Sequence, residues 1–160
     1  MRDWNNFHML FGSTAGTLIG LTLWLSVWAP NMPNLAMRSV SAFVTPVLVH
    51  FASLLLIALA TLAPASNVLR ACILGAIGCV GLAYVPNLAL LAKKRIKECE
   101  REFFWDALLP LAAYVCILVS AAAWLLGASL TEKAGAVASV LLLVTALRNS
   151  WAITLAIINR

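Results

Sequence analysis

Long stretches without a charged side chain constrain what this chain can fold into. Its acidic and basic residues leave charge-free runs at residues 4–37, 39–69, 71–92 and 107–131. An apolar run of about 18 residues or more with few or no charges is typical of a transmembrane helix. Hydrophobic residues make up 63% of the chain and charged residues 11%, whereas soluble domains average about 45–50% and about 25%. The sequence therefore predicts an all-α integral membrane protein.

Proline, asparagine and charged residues divide the chain into five predicted spans within a single transmembrane domain, residues 1–160. The spans cover residues 7–29, 39–63, 67–92, 106–128 and 134–158. Each is long enough to cross a hydrocarbon core of about 30 Å at about 1.5 Å per residue. The first apolar run is longer than the roughly 7–15 residues of a signal-peptide core, so we expect it to be retained as a helix.

The distribution of basic residues predicts how the spans are oriented. One set of span ends and loops carries seven basic residues, Arg38, Lys93, Lys94, Arg95, Lys97, Arg101 and Arg160. The opposite ends carry three, Arg2, Arg70 and Lys133. Because basic residues concentrate on the cytoplasmic side, we expect the N-terminus outside and the C-terminus inside. The cluster from Lys93 to Arg101 is expected at the inner lipid surface, so the net charge of +5 indicates contact with the bilayer and no nucleic-acid partner.

Small residues at helical spacing mark two predicted packing faces. Gly12, Gly16 and Gly20 recur along the segment FGSTAGTLIG of the first span, and Gly75 and Gly78 lie in the third span. In lipid, glycine lets two helix backbones approach closely, so such a face favours contact between helices. The partner is either another span of the same chain or a span of a second copy, and the sequence leaves both open.

The fifth span contains an arginine. Arg148 lies ten residues before Ile158, about 15 Å along a helix and near the bilayer centre. A charge there costs at least about 2.5–3.5 kcal/mol on insertion scales and usually faces the bundle interior or water. Thr145 and Asn149 lie close to it on a small, polar stripe. Arg148 is therefore a candidate for an anion or proton path or for a polar network. The alternative is an arginine that reaches the interface or binds backbone carbonyls.

A histidine lies near the middle of the second span. His50 and Ser53 share one stripe of that span, at a depth similar to that of Arg148. We expect these residues to form a polar core or pathway; the alternative is a structural histidine that forms hydrogen bonds between helices. A haem held by His50 and His8 is not expected, because the two histidines lie about half a membrane apart.

Other motifs argue for a helix kink and against catalysis. Pro86 and Asn87 predict a kink in the third span, because proline frees a carbonyl one turn earlier. The four cysteines have no metal-binding spacing. Metalloprotease and hydrolase motifs are missing, and no carboxylate pair lies at membrane depth. We therefore expect no enzyme activity, no metal and no cofactor.

Two segments carry a resemblance to a known group of proteins. The opening FHMLFGSTAGTLIGL and the late LRNSWAI resemble a group of small bacterial multi-span membrane proteins. Members have a Gly/Ala/Thr-rich first span and an Arg-Asn-x-Trp segment in the last span. The resemblance implies a bacterial cytoplasmic membrane location and a role for Arg148, Asn149 and Trp151, and it carries no assigned activity. The pattern places an acidic residue after the tryptophan, where this chain has Ala152, so it implies no arginine–carboxylate pair here.

Three functions fit these patterns. The first is a small homo-oligomeric channel or transporter with a polar mid-membrane site built around Arg148 and His50. The alternative is a non-conducting accessory or scaffold subunit that binds a membrane-protein partner through its small-residue faces. The third is a membrane-bound cofactor carrier, which would require a visible cofactor spectrum from the pure protein.

Overall fold

A computed structural model describes residues 2–28, 37–93 and 107–158, and these residues form five helices. The helices are α1 (Arg2–Trp28), α2 (Met37–Leu62), α3 (Asn67–Lys93), α4 (Leu109–Leu126) and α5 (Thr131–Ile158). The described residues contain no β-strand, so the all-α prediction is confirmed. Each predicted span corresponds to one helix, with ends that differ by up to five residues.

Four of these helices are long and apolar enough to cross a membrane. The qualifying segments are Thr45–Leu62, Asn67–Pro86, Leu109–Leu126 and Thr131–Trp151. Within the part of the chain whose side chains the structure describes, α1 contains no segment that qualifies. The chain is therefore an integral membrane protein with four clearly apolar helices, and α1 is a helix of 27 residues beside them.

Two tight turns lie at one end of the bundle, which we call the hairpin end. Residues 63–66 connect α2 to α3, and the hydroxyl of Ser66 accepts a hydrogen bond from the backbone N–H of Leu69, which caps the start of α3. Residues 127–130 connect α4 to α5. Gly127 ends α4 in the left-handed conformation with a φ of 63°, where glycine avoids the strain that a β-carbon would introduce. The turns make α2–α3 and α4–α5 antiparallel pairs.

The helices pack as a four-helix bundle with one helix added at its side. α3 packs mainly on α4, α4 on α5, and α5 on α2, while α2 and α3 touch over a shorter length. α1 packs along α2 and contacts α5 only briefly. The most deeply buried large side chains fill the centre of the bundle: Tyr114, Phe51, Leu54, Ile57, Leu74, Ile117 and Leu142. α1 is thus an edge helix, and its outward side is not covered by the rest of the described chain.

Candidate functional site

A small polar network lies inside the bundle between α2 and α4. The Nδ1 atom of His50 is 3.1 Å from the hydroxyl oxygen of Tyr114, and the hydroxyl of Ser53 is 3.2 Å from the same oxygen. His50 is 2% exposed, Ser53 8% and Tyr114 0%. These three side chains therefore meet one another in an apolar interior with very little contact with solvent or lipid.

The donors and acceptors of this network follow from counting hydrogens. The Ser53 hydroxyl donates its hydrogen to the backbone carbonyl of Val49 at 2.8 Å, because a carbonyl only accepts. Ser53 must then accept from Tyr114, whose single hydroxyl hydrogen is used in that bond. His50 must in turn donate its Nδ1 hydrogen to the oxygen of Tyr114. The hydrogen bonds run one way, from the imidazole to a backbone carbonyl that cannot take up a proton.

The position of Tyr114 depends on a glycine of α3. A β-carbon added to Gly81 would overlap the ring atoms Cδ1 and Cε1 of Tyr114, so only glycine leaves room for the ring at this contact. One turn away, a β-carbon added to Gly78 would lie 2.5 Å from Cδ2 of Leu118. Glycines on α3 thus bring α4 close enough for the Tyr114 hydroxyl to reach α2.

The sequence pattern included His50 and Ser53 but not Tyr114. A buried tyrosine usually finds a hydrogen-bond partner for its hydroxyl. Tyr114 lies in the first half of an apolar span, so its hydroxyl could have been predicted as a hydrogen-bond partner for polar side chains of another span.

The predicted residues of α5 have different environments. Thr145 is 1% exposed, and its hydroxyl donates to the carbonyl of Leu141 at 2.8 Å, a bond within its own helix. Arg148 and Asn149 are only partly buried. The structure therefore brings His50 and Ser53 together through Tyr114, whereas Thr145 is satisfied locally.

The five predicted packing glycines separate into two groups. A β-carbon on Gly12 would lie 2.7 Å from the β-carbon of Ala58 on α2, and Gly78 faces α4 as described above. The positions of the other three have no heavy atom within 4 Å: Gly16, Gly20 and Gly75. One glycine of the first span therefore packs inside the chain, and the next two face open space.

A second polar contact joins α1 to α5 near the hairpin end. Nε2 of His8 lies 3.2 Å from Oε2 of Glu132. His8 is 2% exposed and Glu132 is 32% exposed. The other ring nitrogen of His8 is buried and has no hydrogen-bond partner among the residues that the structure describes. Nothing in the local sequence spacing connects residues 8 and 132, so the sequence did not predict this contact.

A basic and an aromatic residue also meet at the hairpin end. The guanidinium of Arg70 lies 4.8 Å from the ring centroid of Trp124 and donates to the carbonyl of Ala63 at 2.9 Å. A tryptophan stacked on an arginine at a helix end is typical of the membrane–water interface. This contact holds the start of α3 against the end of α4.

Other predicted residues lie away from the polar network, and some lie outside the described residues. α3 stays helical through Pro86, and the side chain of Asn87 lies outside the described residues, so the kink stays a prediction. The basic cluster also lies outside the described side chains: Lys93, Lys94, Arg95, Lys97 and Arg101. Within residues 2–28, 37–93 and 107–158, no group of three or more His, Cys, Asp and Glu residues is arranged to hold a metal ion.

Known proteins give no direct indication of what this chain does. No family model, no curated protein and no solved structure matches the chain.

Proposed function

We propose that this protein is a non-conducting membrane subunit that works by lateral association, with a second copy of itself bound at the outward face of α1. We define this outward face by its exposed residues: Met9, Ser13, Gly16, Thr17, Gly20 and Val27. The observation that carries the proposal is the change along the glycine row. Gly12 packs on Ala58 of α2, whereas Gly16 and Gly20 face open space.

Helix geometry explains why one row of glycines serves two surfaces. A helix has about 3.6 residues per turn, so each step of four residues rotates the side chain by about 40°. Gly16 therefore points about 40° away from Gly12, and Gly20 about 80° away. The row starts against α2 and turns outward along α1. An outward face lined with glycine lets a second helix approach closely, which lipid chains do not require.

The chemistry of the outward face supports a second copy as the occupant. A two-fold interface uses the same surface patch on both copies, so a charged residue near the axis would face its own equivalent and be repelled by it. No charged residue lies between Asp3 and Arg38. The hydroxyls of Ser13 and Thr17 are already satisfied by the carbonyls of Leu10 and Ser13 within α1. The face can therefore meet its own copy without burying an unpaired charge or hydroxyl.

The interior of the bundle supports a non-conducting role. Its centre is filled by a continuous cluster of buried apolar side chains. The hydrogen bonds that start at His50 end at the carbonyl of Val49, and a carbonyl passes no proton onward. A route for ions or protons through one copy would have to break this packing.

Association can be measured by energy transfer between separately labelled copies in lipid vesicles at increasing dilution. Gly16→Ile places a branched side chain on the outward face and is expected to weaken association about tenfold, equivalent to about 1.4 kcal/mol. Ala76→Ile is the control, because Ala76 is exposed on α3 and lies off the outward face. Equal transfer in all three proteins, or no concentration-dependent transfer in the unmodified protein, contradicts the proposal.

A channel or transport function is the second candidate, favoured by buried polar side chains within the spans. His50, Ser53 and Thr145 are all at least nine-tenths buried, and Arg148 lies on the same helix as Thr145. A conducting protein would show ion flux in liposomes, and Arg148→Ala would reduce that flux without changing thermal stability. Absence of flux from vesicles that contain associated protein supports the non-conducting role.

A further inference from the structure

The contact between His8 and Glu132 joins the edge helix α1 to the first turn of α5. α1 packs along most of its length on α2 and touches α5 only briefly. The Nε2–Oε2 distance is 3.2 Å. His8 is buried, whereas Glu132 is about two-thirds buried. The two residues are 124 positions apart in the chain, so the bond links the first helix to the last.

The direction of the bond follows from the chemistry of the two groups. An ionised carboxylate only accepts, so Nε2 of His8 donates to Glu132. Glu132 lies in the first turn of α5, where the free N–H groups of the helix favour a negative charge. Nδ1 of His8 has no hydrogen-bond partner in the described part of the chain. Glu132 is therefore the group that sets the direction of the imidazole ring.

Two contacts on α1 together fix its rotation about its own axis. His8 and Gly12 are one turn apart, and they point in directions that differ by about 40°. His8 is bonded to α5, and Gly12 is packed against Ala58 of α2. Apolar side chains of α1 also pack against the core: Phe11, Leu18 and Ile19. Such contacts are non-directional, whereas the hydrogen bond to α5 holds His8 in one direction.

We propose that Glu132 is a positioning residue that acts through His8. By holding α1 at one rotation, it determines that Gly16 and Gly20 form the surface offered to a second copy. This inference rests on the proposed self-association and names the residue pair that controls it. The pair itself lies inside the chain and touches neither copy's outward face.

Single-cysteine cross-linking tests the rotation of α1 directly. The four native cysteines are replaced by alanine, and a cysteine is introduced at Ser13, near the centre of the outward face, or at Leu21, which points about 80° away. Both positions are exposed. In lipid vesicles we expect disulfide-linked dimers to form preferentially through position 13. Glu132→Ala is expected to reduce the ratio of position-13 to position-21 dimers about tenfold, within the range that loss of a charge-assisted hydrogen bond supports.

Matched variants keep the test independent of folding. Glu132→Gln retains an oxygen that accepts from His8 and is expected to restore most of the ratio. His8→Leu removes the donor while keeping an apolar side chain in the buried position, and is expected to lower the ratio as Glu132→Ala does. If Glu132→Ala fails to fold, His8→Leu carries the same test. An unchanged ratio in the folded variant overturns the positioning role, whereas no dimer at either position in the parent protein contradicts the proposed self-association instead.

Discussion

Two glycine rows in this chain have similar spacing and opposite surroundings. On α3, Gly78 and Gly81 press against side chains of α4, and the Tyr114 ring lies where a β-carbon of Gly81 would be. On α1, a β-carbon added to Gly16 or Gly20 would meet no other described part of the chain within 4 Å. Gly78 and Gly81 are used inside the molecule, and Gly16 and Gly20 are available outside it. Glycine spacing thus identifies a smooth helix face, and the rotation of the helix decides what that face meets.

The largest expected loss of stability comes from adding a side chain at Gly81 of α3. Gly81→Val should force α3 away from Tyr114, because the ring is fully buried and bonded to α2 and has no space to retreat. Overpacking of this kind costs about 1–3 kcal/mol, and this site should reach the upper part of that range. The free energy of unfolding, measured by steric trapping in bicelles, checks the value. Gly75→Val is the matched control on the same helix, and an equal loss in both variants would contradict the close contact at Gly81.

A somewhat smaller loss of stability is expected when only the hydroxyl of Tyr114 is removed. Tyr114→Phe keeps the ring against Gly81 but leaves the His50 Nδ1 hydrogen without an acceptor. A buried donor left unsatisfied costs about 1–3 kcal/mol. The same unfolding measurement gives the loss, and the histidine Nδ1–H signal in a nitrogen-edited NMR spectrum should shift or exchange faster. Stability and spectrum both unchanged would mean that the hydroxyl does not hold His50.

The smallest expected effect on stability comes from adding a methyl group at Gly20 of α1. Gly20→Ala meets no atom, and alanine favours a helix over glycine by about 0.5–1 kcal/mol in water, so the isolated chain should be equally stable or slightly more stable. Energy transfer between copies should nevertheless decrease, because the added methyl group separates the two α1 helices. Lower stability together with unchanged association would contradict the assignment of Gly20 to a surface between two copies.

Much of the fold could be predicted because charge-free runs and hydrophobic length are local properties. The predicted fourth span began at residue 106, and the helix begins at Leu109 with Pro110 in its first turn, where a missing N–H causes no loss. The fifth began at residue 134, and the helix begins at Thr131. Such small differences are typical of helix ends, which fray and change form; residues 107 and 108 already form a wider, π-helical turn before α4.

The candidate site was less predictable because it depends on pairings between distant segments. His50 and Ser53 were recognisable as polar residues on one stripe of a span, but their shared partner is on α4, 61 residues beyond Ser53. The His8–Glu132 contact has no local signal, since neither residue lies in a recognisable motif. The outward turn of the glycine row could be calculated from helix geometry, yet its direction required knowing that Gly12 faces Ala58.

The two tight turns at the hairpin end also bear on how the chain enters the bilayer. Residues 63–66 and 127–130 contain no charged side chain, and each turn is only four residues long. α4 and α5, which pack closely on each other, can therefore enter the membrane as one helical hairpin, whereas α2 and α3 share a short turn but touch over a shorter length. The turns themselves carry no formal charge, and the nearest charged side chains are Arg70, Glu132 and Lys133. An uncharged turn adds little dehydration cost to the insertion of its two flanking helices.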